Sequence, residues 1–65
     1  MSEPETKHQI LASRLTARLS GFIQGIGMSG IDAREIVERA IADEPSADEH
    51  EIEAKARAWM LIALT

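Results

Sequence analysis

Apolar side chains recur along the chain at helical spacing, and no segment alternates apolar and polar residues as a half-buried strand does. With residues set about 100° apart, most of Ile10, Leu11, Leu15, Leu19, Phe22, Ile23 and Ile26 gather on one broad side, and the phase carries across Gly21. The pattern predicts a first helix from about residue 4 to 26. Pro4 is tolerated in its first turn behind Ser2 or Glu3 as cap, and Gly21 and Gly25 lie near the exposed side. A glycine inside a helix costs about 1 kcal/mol relative to alanine, so a break after Ser20 is the alternative.

Two further helices follow, each announced by a start signal. Asp32-Ala-Arg-Glu35 has the form of a capping box, with Ile31 and Ile36 in the positions of a hydrophobic staple. The helix it opens, about 32–43, buries Ile36, Val37, Ala40 and Ile41, and Pro45 disfavours helical geometry at Glu44. Ser46-Ala-Asp-Glu49 repeats the signal before a third helix, about 47–64. Connections this short imply antiparallel neighbours. The expected fold is all-α: a compact three-helix unit forming one domain over residues 1–65.

The third helix is apolar on two sides. Ile52, Ala56, Trp59, Met60 and Ala63 make one stripe, suited to the domain's own core. Ala54, Ala58, Leu61 and Ile62 make another, centred roughly opposite. A second apolar stripe calls for a second protein surface, so these four residues are the expected partner interface and the chain is expected to form a homodimer through its third helix.

Size sharpens that expectation. A domain of 65 residues buries only about 60% of the surface its unfolded chain exposes, and domains so small commonly gain support from disulfides, a metal or a partner chain. There is no cysteine, and His8 and His50 lie far apart, so neither a disulfide nor a metal site is expected. No cofactor is expected either.

Charge changes the picture in a different way. The net charge of −4 is uneven: residues 1–30 hold three basic and two acidic side chains, residues 31–65 four and nine. Such a chain is repelled by nucleic-acid phosphate unless its few basic groups cluster. Lys7, Arg14 and Arg18 do share one edge of the first helix, a possible anion contact. The favoured reading is that their stems cover the core edge while their heads pair with the acidic third helix. The run DEPSADEHEIE, residues 43–53, holds six carboxylates and reads first as a solvated corner with caps, with Glu51–Lys55 and Glu53–Arg57 as helical ion pairs.

Two motifs invite a specific chemistry. GIGMSG, residues 25–30, spells the G-x-G-x-x-G of dinucleotide-binding folds, but that motif needs a preceding strand and a βαβ frame. Here a helix precedes it, and Gly27 and Gly30 fall where the chain reverses, so the glycines read as punctuation. Leu19 to Ile36 can be threaded on a helix-turn-helix, with Gly27 as turn glycine. Ile23 and Ala33 fit that pattern badly, and residues 32–44 carry five acids against two bases. No serine has a histidine nearby to activate it, and so small a bundle has little room for a catalytic pocket.

The N-terminus is polar without a following apolar run, and the longest apolar run, Ala58–Leu64, is far short of a membrane span. The expectation is a cytoplasmic, non-enzymatic interaction or regulatory protein that pairs with itself and binds a further protein. A helix-turn-helix DNA-binding regulator is the alternative.

Overall fold

The computed structural model describes the backbone of residues 3–65 and side chains from residue 7 onward; the cap expected at Ser2 or Glu3 lies outside the described side chains. The chain forms α1 (Glu3–Arg18), α2 (Ser20–Ile26), α3 (Gly30–Asp43) and α4 (Glu49–Ala63), with no strand among the described residues. Helix α3 packs against both α1 and α4.

Four helices stand where three were expected, because the stretch read as one helix over 4–26 bends at Leu19. Leu19 leaves helical geometry at φ −92°, ψ 5°, in the sparsely allowed bridge region. The turn-to-turn bonds still hold: the Leu19 amide donates to Leu15 O at 2.9 Å and the Ile23 amide to Leu19 O at 2.8 Å. The axis therefore changes direction without losing phase, which is why the hydrophobic pattern runs on uninterrupted. Two local features favour the bend. Thr16 Oγ1 donates back to Ala12 O at 2.6 Å, a contact that bends helices, and Ser20-Gly21 is the kind of pair at which helices kink. Leu15, Leu19 and Ile23, spaced four apart across the bend, all lie in the core.

The reversal after α2 is a complete Schellman motif. Gly27 adopts φ 75°, ψ 25°, its amide donates to Gln24 O at 3.1 Å, and the Met28 amide reaches Ile23 O at 3.2 Å. Met28 packs against the core beside it.

Both capping assignments move. Helix α3 starts one turn earlier than the Asp32 box implies: Ser29, extended at φ −71°, ψ 152°, accepts from the Asp32 amide on its Oγ at 3.1 Å. Asp32 becomes a first-turn acid at the positive end of the dipole. Ile31 falls inside the helix at 78% exposure, so no staple forms. Helix α4 starts two residues later than the Ser46 box implies. The Ala47 amide closes a turn onto Glu44 O at 3.0 Å and Ala47 packs against the core. Asp48 then caps the helix, its Oδ1 accepting from the Glu51 amide at 2.9 Å.

The core is Ala12, Leu15, Leu19, Ile23, Ala33, Val37, Ala40, Ile41, Ile52, Ala56 and Met60, all buried, with Leu11, Phe22, Ile26, Ile36 and Trp59 half-buried around it. Ile10 is the exception on the first helix, 55% exposed: five residues from Leu15, it points about 140° away. Ala63, expected inside, is exposed at the end of α4, on an open recess beside the α2–α3 turn.

Candidate interaction surface

Helix α4 is held on two flanks by charge, which fixes the direction of the remaining face. On the α1 flank, Glu49 accepts from Arg14 Nη1 at 2.7 Å and from Arg18 Nη1 at 2.9 Å. Arg18 Nη2 also lies 3.1 Å from Glu53 Oε1, a charge contact whose alignment is too poor to count as a hydrogen bond. Glu53 Oε2 meets Arg57 at 3.4 Å. Arg14 and Arg18, candidates for anion contact, are thus engaged across the helix pair. Lys7 shares a shallow groove with Ile10, Leu11, Arg14 and Glu49.

On the α3 flank, Lys55 Nζ donates to Asp43 at 2.7 Å, lies 3.4 Å from Glu44, and sits 5.7 Å from the Trp59 ring centroid. The expected Glu51–Lys55 pair is replaced by this tie to the end of α3, since α3 brings two carboxylates to the lysine. The Asp43 hydrogen bond is the main cause that raises the Lys55 pKa above the ordinary 10.5, with partial desolvation opposing it.

Between these flanks, Ala54, Ala58, Leu61 and Ile62 are all exposed. Ile62 is 67% exposed, Leu61 48% and Leu64, at the end of the same helix, 49%. Residues 58–65 contain no ionisable side chain, a property they share with residues 19–31. Sequence reasoning located the face from helical phase alone. Leu64, the C-cap residue of α4, was not part of that face as phase presented it.

The other surfaces offer less. His8, Gln9, Glu38 and Ile41 line an open recess of about 200 Å³. A second recess of about 280 Å³ lies where the α2–α3 turn meets the end of α4, lined in part by Met28, Ile36, Ala63 and Leu64. Among the described residues no polar or charged side chain is buried, and no three potential metal ligands converge. No helix of the described residues is long and apolar enough to cross a membrane. The outward side chains of α3 include Asp32, Glu35 and Glu38 together with Arg39. No protein-family model matches the chain, and no characterised protein or solved structure shows significant similarity to it.

Proposed function

We propose that the chain is a small non-enzymatic interaction protein that pairs with a second copy of itself through the outer face of α4, the pair acting by binding a further protein, in a cytoplasmic setting. The observation that carries this reading is the cluster Ala54, Ala58, Leu61 and Ile62, exposed together on a helix whose opposite side is already in the core. A surface helix normally presents polar residues to water. Covering Leu61 and Ile62 fully would contribute at most about 3–6 kcal/mol, at about 1.5–3 per large aliphatic, and both already bury part of their surface. A single helix face falls short of the roughly 800 Å² per partner of a standard interface, so the expected dimer is a weak, micromolar one.

Among the described residues no ionisable residue is buried as a whole, which favours a role other than catalysis, because general acid–base chemistry draws on desolvated, perturbed side chains. The acidic outward face of α3 weighs against a helix-turn-helix reading, because phosphate repels it.

Sedimentation equilibrium tests the reading. The wild type should approach twice the chain mass at high micromolar concentration. Leu61→Glu with Ile62→Lys should remain monomeric yet helical, because Ile52, Ala56 and Met60 still hold α4 to the core. A wild type that stays monomeric throughout would overturn it.

A further inference from the structure

Resting on the pairing reading above, we infer that the two α4 helices run antiparallel, with Ala58 of each facing the partner subunit's Ile62 and Arg57 of each standing over the carbonyl end of the partner's helix. Three observations lead there. The first is shape: Ala58 and Ile62 lie one turn apart, about 6 Å along the axis, one small and one large, both exposed. Antiparallel pairing about their midpoint sets small against large twice, as interdigitating layers require. Parallel pairing would instead set Ile62 against the partner subunit's Ile62 and leave Ala58 facing another alanine.

The second observation is charge. Helix α4 begins on Asp48, Glu49 and Glu51 but has no basic residue in its last turn, so its carbonyl end, worth about half a negative charge, has no cationic side chain of its own. Arg57 borders the outer face, with its side chain 45% exposed and, among the described residues, held only by the 3.4 Å contact to Glu53. About the midpoint of residues 58 and 62, Arg57 comes level with the last turn of the partner's α4. Each subunit then supplies the cation that the other's helix end lacks.

The third is repulsion. Each copy carries −4, and the acids of α4 all lie at or before Glu53. Antiparallel overlap of the C-terminal halves projects the two acidic N-terminal turns away from each other, whereas parallel overlap aligns them. Ala54 is then at the rim, its two copies about 18 Å apart along the axis at 1.5 Å per residue.

The chain has no native cysteine, so single engineered cysteines report the geometry without interference. Ala58→Cys and Ile62→Cys chains, mixed and oxidised mildly, should form a 58–62 disulfide between subunits. Ala54→Cys alone should not cross-link, because a disulfide needs Cα atoms within about 7 Å. Circular dichroism confirms that each variant keeps its helices. Arg57→Gln should weaken the wild-type dimer by about three- to thirtyfold, the effect of one charge lost at each of its two helix ends. Efficient Ala54→Cys cross-linking, or no 58–62 product from a chain that sediments as a dimer, would refute the antiparallel arrangement and leave pairing intact. A monomeric wild type would remove both.

Discussion

Gly25 and Gly27 lie two residues apart in the same motif, yet replacing each by alanine should move stability in opposite directions. Gly25 is helical and exposed, and a Cβ built on it meets nothing within 4 Å. Alanine there reduces the freedom of the unfolded chain at no cost in packing, a gain of about 0.4–1 kcal/mol. Gly27 also has open space around it, but its φ of 75° is one that side chains with a Cβ resist. Holding alanine in that left-handed conformation costs about 1–2 kcal/mol, or else the Schellman bonds from the Gly27 and Met28 amides are lost. The two variants should therefore differ by roughly 1.5–3 kcal/mol. At about 4–8 °C of melting temperature per kcal/mol for a domain of this size, thermal melts followed by far-UV circular dichroism resolve that gap easily. All samples need one protein concentration, since the proposed pairing would make the midpoint concentration-dependent. Equal shifts of the same sign would show that backbone conformation is not what the glycines serve. A nucleotide that protected the wild type but neither variant would restore the phosphate-cradle interpretation.

Two further outcomes are expected. Ser29→Ala and Asp48→Ala should each cost about 1 kcal/mol through lost capping, and in urea titrations each should exceed Ser46→Ala, whose side chain caps no helix; the reverse order would place the helix starts wrongly. Lys55 has a raised pKa, so the stability it contributes is complete below the ordinary 10.5 and is lost as pH climbs through the higher folded value. Urea midpoints from about pH 9 to about pH 11.5 should fall more for the wild type than for Lys55→Met, and parallel profiles would mean that the Asp43 contact does not persist in solution.

Helical periodicity alone determined that the chain is all-helical and which side of each segment is apolar. It also located the outer face of α4, because phase is a local property of sequence at 3.6 residues per turn. The reversal at Gly27 was legible for the same reason: a left-handed residue demands glycine, and its neighbours showed a helix ending. The break at Leu19 was not legible, since the bend keeps the hydrogen-bonded phase and leaves the pattern of Leu15, Leu19 and Ile23 intact. The capping residues were ambiguous by nature. Ser29-x-x-Asp32 competes with Asp32-x-x-Glu35, and Ser46-x-x-Glu49 with Asp48-x-x-Glu51, on near-equal local terms. Tertiary packing chose between them: Ala33 is buried near the start of α3, and Ala47 packs against the core before α4 begins. The partners of charged side chains were decided at the same level. Lys55 has an acid one turn before it in sequence, yet it bonds to Asp43 and Glu44, because only the folded chain places two carboxylates at the end of a neighbouring helix within reach of one ammonium group.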